Sequence, residues 1–242
     1  MAYEFFYWPE IQGRGEFVRL ALEDAGVPFI DVARGSESEG RGVPAMLALM
    51  RGKGTSHIPF APPFLRDGDV VVSHTAAILL YLGGRIGLAP TDEDGRLWTH
   101  QIQLTIADFV LEAHDTHHPI ASSLYYEDQK EEAARRAQDF RENRVPKYFD
   151  WFESILARNP AGPNHLVGDK ISYADLSVFQ VIAGLTYAFP QLMKRELRKY
   201  PKVAALHDAI AKRPRIKAYL ASPRRIPFNE SGIFRHYPEL DA

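Results

Sequence analysis

Every strand signal in this chain falls before residue 74, and from about Arg96 onward the sequence reads only as helix. That break predicts two units: a small α/β domain over residues 1–84 and an all-α domain over 95–242, joined by a Gly-, Pro- and Asp-containing linker at 85–94. In the first unit, Tyr3–Trp8 is an aromatic strand bounded by Pro9, and Gly13–Ala25 has helical spacing with Gly26 as its stop. Val27–Val32 is a short strand, and Val43–Arg51 is a helix with Pro44 in its first turn. Phe64–Arg66 and Val70–Ser73 form a hairpin through Asp67-Gly68, and Thr75–Leu82 is an apolar helix ended by Gly83-Gly84. The order β-α-β-α-β-β-α implies a sheet with a parallel portion and an antiparallel edge.

The second unit reads as one helix from Arg96 past His114 and a long charged helix over Gln129–Arg158, kinked at Pro146. A further helix starts at Ser172, and shorter ones span Gln191–Lys199, Pro201–Lys212 and Arg215–Leu220. The last 20 residues form an irregular aromatic tail, and no internal repeat is visible.

Composition excludes several classes of function. There is no cysteine, so disulfides, thiolate metal sites and a protein thiol nucleophile are excluded; any sulfur chemistry must use sulfur carried by the substrate. A net charge of −2 gives no general attraction to nucleic acid or anionic lipid. No stretch approaches the ~18 apolar residues of a membrane span, and MAYEFFYWPE lacks the pattern of a secretion signal. The expectation is a cytoplasmic protein that binds neither nucleic acid nor membrane.

Several residues stand where chemistry gathers in such a fold. Tyr7 ends the first strand, and open α/β sheets collect ligands at the carboxyl ends of their parallel strands. Pro62-Pro63 is either a trans pair at a strand edge or a cis turn exposing backbone polar groups. Ser73-His74-Thr75 opens a helix: Ser73 or Thr75 is a simple N-cap, or Thr75 and the free amides receive a carboxylate. Ser172 and Asp175 form a capping-box-like pair, which is structural. His114, His117 and His118 have metal-ligand spacing beside Glu112 and Asp115, but Pro119 frays that helix, and a polar cleft rim is the preferred reading over a metal site.

Taken together, Phe6-Tyr7-Trp8-Pro9, Gly13-Arg14-Gly15-Glu16, Arg19, Pro63-Phe64-Leu65, Asp67-Gly68, Ser73-His74-Thr75-Ala76-Ala77-Ile78, Tyr81-Leu82, Ile106-Ala107-Asp108 and Gly168–Asp175 resemble a cytosolic glutathione transferase of the tyrosine type. The resemblance covers nearly the whole chain. It implies a thioredoxin-like first domain, a helical second domain, a homodimer, and glutathione as co-substrate with a small hydrophobic electrophile. Residue by residue, Tyr7 resembles the tyrosine aimed at the glutathione sulfur, and Thr75 the hydroxyl that binds the γ-glutamyl carboxylate. Pro63 resembles the cis proline, Arg14 a site arginine, and Asp108 the acid that reaches the γ-glutamyl amine on the opposite subunit.

Three departures follow. Pro62 precedes the cis proline and offers only its carbonyl to glutathione, which implies weaker binding. His74 stands where glutamine is usual, making its contact pH-dependent. The poorly matched segment 34–58 leaves the glycyl carboxylate to Arg51, Lys53 or His57. For the second substrate the expected lining is Trp8, Ile11, His114 and His118, with Phe228 or Phe234 from the tail. Tyr7 is expected to stabilise the thiolate. The alternatives are a non-catalytic carrier of glutathione or apolar ligands, and a glutathione-dependent isomerase or peroxidase.

Overall fold

The computed structural model describes residues 2–242. Strands β1 (Tyr3–Phe6), β2 (Phe29–Asp31), β3 (Phe64–Asp67) and β4 (Val70–Ser73) form one sheet in the order β2-β1-β3-β4. β1 runs parallel to β2 with Tyr3 opposite Phe29, and β3 returns antiparallel with Phe6 opposite Phe64. The ladder stops at Phe6, so Tyr7 and Trp8, expected within the strand, lie just beyond it. β2 ends opposite Phe5, and Pro63, before β3, has no N–H with which to extend the pairing.

Three helices complete this half: α1 (Gly15–Ala25), α2 (Gly42–Met50) and α3 (Thr75–Gly83). Together with the sheet they make the thioredoxin-like arrangement that the resemblance implies. α1 ends at Gly26, whose φ of 67° is left-handed and whose N–H bonds back to the carbonyls of Leu22 and Glu23.

The rest of the chain is helical. α4 (Glu93–Asp115) begins earlier than expected because Asp92 caps it, accepting from the Gly95 amide at 2.7 Å. The predicted long helix is two helices, α5 (Lys130–Asp139) and α6 (Val145–Arg158), joined by a wide π turn at Phe140–Arg144. Pro146 falls in the first turn of α6, where its missing N–H costs nothing, so it marks a start rather than a kink. α7 (Tyr173–Ala188) opens on a complete capping box: Asp175 accepts from the amide and hydroxyl of Ser172 and from the Leu166 amide, each at 2.7–2.8 Å. α8 (Pro190–Glu196), α9 (Pro201–Ala211) and α10 (Pro214–Leu220) follow. Among the described residues no helix is long and apolar enough to cross a membrane.

The halves meet where α1 packs on α7 and α10, and α3 on α4. This seam is polar at its centre. Glu16 of α1 is fully buried and accepts from the Tyr219 hydroxyl at 2.6 Å, from Arg225 and from Arg19. Arg225 also donates to Gln180 of α7, which donates to Gln12 at 2.8 Å. The tail therefore does not hang free.

Phe234, expected at the substrate cleft, is instead buried against α7, with its ring over Gly184. The absent Cβ of Gly184 leaves room for the ring, so the aromatic packs as core. Gly184→Leu should drive the ring out and destabilise the protein by about 1–3 kcal/mol, measured as a lower urea midpoint with an unchanged m-value.

Candidate active site

Tyr7 stands immediately after β1, 5% exposed, with the Gly13-Arg14-Gly15 loop folded against its ring. Only glycine fits beside it: a Cβ at Gly15 would lie 2.5 Å from ring carbons, and one at Gly13, whose φ is +45°, would strike the hydroxyl. The Arg14 amide donates to the Tyr7 hydroxyl oxygen at 2.9 Å. An amide can only donate, so the phenol accepts this bond and keeps its own proton for another partner. Burial pushes the phenol above its ordinary value of 10, outweighing the Arg14 and Gly15 amides and the charges of Arg14 and Arg19, which act the other way.

The same residue is held through its next peptide, because the Thr75 hydroxyl donates to the Arg14 carbonyl at 3.1 Å. Thr75 is the first residue of α3, and the amides of a first turn lack intrahelical acceptors. His74 is the N-cap, in place of the expected Ser73 or Thr75; its Nδ1 accepts from the Ala76 amide at 3.3 Å. Its φ of +73° makes it the one non-glycine residue at positive φ among those described. That conformation turns its N–H onto the Pro63 carbonyl at 3.1 Å, and the Pro62–Pro63 bond is cis.

Arg14, His74 and Thr75 face α4 across a pocket of about 180 Å³ whose far wall includes Gln103 and Asp108. One wall thus carries a guanidinium and a helix N-terminus, and the other a carboxylate. Such a pair suits a group that bears both an ammonium and a carboxylate. The structure therefore brings together Arg14, His74, Thr75 and Asp108, with Asp108 lining its own chain's pocket. It separates them from Lys53, which lines a different hollow with Glu39, Arg41 and Arg66. His57 lies exposed in a turn held by the Thr55 hydroxyl. Gln103 was not anticipated: it is 1% exposed, yet its Oε1 has no partner. The sequence signal was a glutamine in the buried stripe of α4, beside Ile102 and Ile106.

Trp8, which follows Tyr7, is 40% exposed, and Ile11 is half-buried. His114 is half-buried and close enough to Arg14 to feel its charge; burial first, then Arg14 and Arg235, hold its imidazole below the usual range against the pull of Asp115. His118 is nearly buried and also held low, mainly by burial and then by Arg235. His114 stacks on His118 with ring centroids 5.0 Å apart.

A two-domain protein with a thioredoxin-like half, a helical half and this cleft between them has the architecture of the glutathione transferases. Residues 114–223 match the family model described as "Glutathione S-transferase, C-terminal domain". The chain is 28% identical over 236 residues to glutathione S-transferase P of Bos taurus, covering 95% of this chain and 98% of the relative. It is 27% identical to a glutathione S-transferase of Dirofilaria immitis, covering 96% and 99%. Its fold matches the Pi-class glutathione S-transferase of Onchocerca volvulus with a TM-score of 0.68 at 23% identity, covering 91% and 92%. It also matches prostaglandin synthase D of Nilaparvata lugens with a TM-score of 0.69 at 23% identity, covering 94% and 100%. Its sequence is thus similar to glutathione S-transferases over nearly its whole length, and its fold is theirs.

Because the Tyr7 phenol is buried and neutral, it should not ionise near neutral pH. Its proton is retained below pH 10 and lost only as pH rises through a value above that. The difference in tyrosinate absorbance between wild type and Tyr7→Phe should therefore have its midpoint above 10; a midpoint below 9 contradicts the site described.

Proposed function

We propose that this chain activates glutathione as a thiolate through Tyr7 and adds it to a hydrophobic electrophile. The observation that carries this reading is the Arg14 amide bonded to the Tyr7 oxygen, which leaves a fixed, neutral O–H as donor. A thiol of pKa about 8.5 is only about 3% ionised at pH 7. Lowering that value by about two units requires about 2.7 kcal/mol in favour of the anion. One hydrogen bond to a charged acceptor contributes roughly 1.5–3 kcal/mol, which is the required size. Tyr7 then acts by electrostatic stabilisation and forms no covalent bond.

The rest of the site divides glutathione by charge. Arg14, Thr75 and the α3 amides take the γ-glutamyl carboxylate, and Asp108 takes its ammonium. His74 and the Pro62 carbonyl flank the cysteinyl part, where Pro62 offers no N–H. Lys53 lines another hollow, so the glycyl carboxylate is assigned to Arg51 or His57. Trp8, Ile11, His114 and His118 receive the electrophile. A cytoplasmic setting fits this chemistry, because glutathione there is kept reduced.

A carrier has no use for a neutral donor buried beside a thiol, so Tyr7 favours the enzyme. In wild type, the thiolate absorbance of bound glutathione should titrate near pH 6–7. In Tyr7→Phe the midpoint should return toward 8.5, with turnover of 1-chloro-2,4-dinitrobenzene at neutral pH falling about 10- to 100-fold. Midpoints near 8.5 in both proteins, with binding intact, would select the carrier.

The same reading includes a homodimer. Leu97, Leu104 and Leu111 repeat every seven residues along α4 and are 65%, 46% and 49% exposed, so one helix face carries an apolar stripe to solvent. Phe60 projects nearby in sequence to the cis-proline turn, 99% exposed. A second copy would bury these groups and bring Asp108, between Leu104 and Leu111, toward the interface. Leu104→Glu should convert a dimer to a monomer in sedimentation velocity; an unchanged sedimentation coefficient at the monomer value in wild type removes the dimer.

A further inference from the structure

The ring nitrogens of His117 and His118 form a chain of hydrogen bonds whose last atom is open. His117 is 1% exposed, and its Nε2 lies 2.7 Å from the Ile233 carbonyl oxygen. A carbonyl only accepts, so the proton of that bond sits on His117 Nε2. Burial lowers the His117 pKa to about 3, so the ring is neutral and its Nδ1 is a bare lone pair. His117 Nδ1 meets His118 Nδ1. Two bare nitrogens would repel, so His118 must place its proton on Nδ1 and leave Nε2 bare. That Nε2 has no partner among the described residues and is not one of the fully buried unpartnered atoms, so it is the reachable nitrogen of a residue that is only 9% exposed.

His114 repeats the pattern one turn earlier. Its Nδ1 lies 3.2 Å from the Asp115 carboxylate, which only accepts, so its proton is on Nδ1 and its Nε2 is the bare atom. The two rings stack with planes 26° apart. Through His114, which is close enough to Arg14 to feel its charge, the polar rim expected from the sequence therefore presents hydrogen-bond acceptors of fixed tautomer. Arg235, from the tail, lies near enough to act on all three imidazoles and disfavours their protonation.

We propose that His118 makes the second-substrate subsite selective for electrophiles carrying an O–H or N–H group that donates to its Nε2, with His117 setting that selectivity by fixing which nitrogen of His118 is bare. His118 thus determines specificity, and His117 is a positioning residue that touches no substrate. An electrophile offering only acceptors toward this wall would leave Nε2 unpaired and lose affinity. The inference rests on the transferase reading, because the donor-bearing molecule is the partner of glutathione.

The test compares glutathione addition to 4-hydroxy-2-nonenal with addition to its 4-methoxy ether, each rate corrected for the uncatalysed reaction. Wild type should favour the hydroxy compound in kcat/KM by about 3- to 10-fold, the size of one neutral hydrogen bond. His118→Phe keeps the bulk of the ring and removes the acceptor, so the preference should fall to within about 2-fold. Equal handling of the two enals by wild type, with 1-chloro-2,4-dinitrobenzene still turned over, overturns this inference alone. Absence of turnover with all three electrophiles overturns the transferase reading and this inference with it. Independently of activity, long-range proton–nitrogen NMR of wild type at pH 7 should show His117 as the Nε2–H tautomer and His118 as Nδ1–H. A His118 signal from Nε2–H overturns the relay, and this spectrum needs no variant to fold.

Discussion

The buried carboxylate of Glu16 is the constraint on which the two halves and the site depend. It sits in α1 of the sheet half, yet it accepts from Tyr219 of α10 and from Arg225 of the tail, and Arg19 of its own helix lies beside it. A carboxylate removed from water is costly unless every lone pair is engaged, and here the partners come from three separate parts of the chain. Its backbone amide also bonds to the Gln12 carbonyl at 3.0 Å, closing the turn that contains Gly13, Arg14 and Gly15. The polar seam between the halves and the loop beneath Tyr7 are therefore one connected structure. Losing any one partner leaves part of a buried carboxylate without its hydrogen bond, at the seam that carries this loop.

That loop holds Tyr7 in the geometry that the proposed thiolate stabilisation requires. One lone pair of the phenol oxygen is taken by the Arg14 amide, and the Thr75 hydroxyl holds the carbonyl of the same residue. Preorganisation of this kind matters because a donor that must reorient gives up part of its stabilisation when charge develops. The charges around the pocket follow the same logic: Arg14 and the start of α3 on one wall, Asp108 on the other, each matched to one end of an amino-acid group. The side proposed for the second substrate is built differently. Its histidines are held neutral mainly by burial, so the wall offers lone pairs where an apolar surface would offer only contact area.

Much of this was legible in the residues. Short aromatic and aliphatic runs bounded by Pro9 and by the Asp67-Gly68 turn mark the strands, and Gly26 marks the end of α1 with a left-handed residue that closes it. The Ser172–Asp175 pair announces α7 through the local bonds of its capping box. Tyr7, Arg14, Thr75 and Asp108 were found through their order along the chain, and three of them line one pocket while Tyr7 is bonded to Arg14. The misreadings share one cause. Phe234 appears from sequence to be a tail aromatic free to cap a cleft, but the missing side chain of Gly184, fifty residues earlier, gives it a core position. Pro146 signals an interruption, yet whether it kinks one helix or starts another depends on the π turn before it. His74 caps α3 only because its φ is positive, which nothing local to histidine requires.

By itself the sequence determined the secondary structure, the division into a mixed half and a helical half, the absence of any protein thiol, and the residue types available for chemistry. These follow from local sterics, hydrophobic period and composition, which act over a few residues. Tertiary structure alone decided that Gln103 would stand unpaired on the pocket wall, that Lys53 would face a different hollow from Thr75, and that a carbonyl at Ile233 would dictate a proton position on His117 and, through it, on His118. Each of those outcomes depends on a partner distant in the chain, and hydrogen bonds and burial act at distances that only the folded chain establishes.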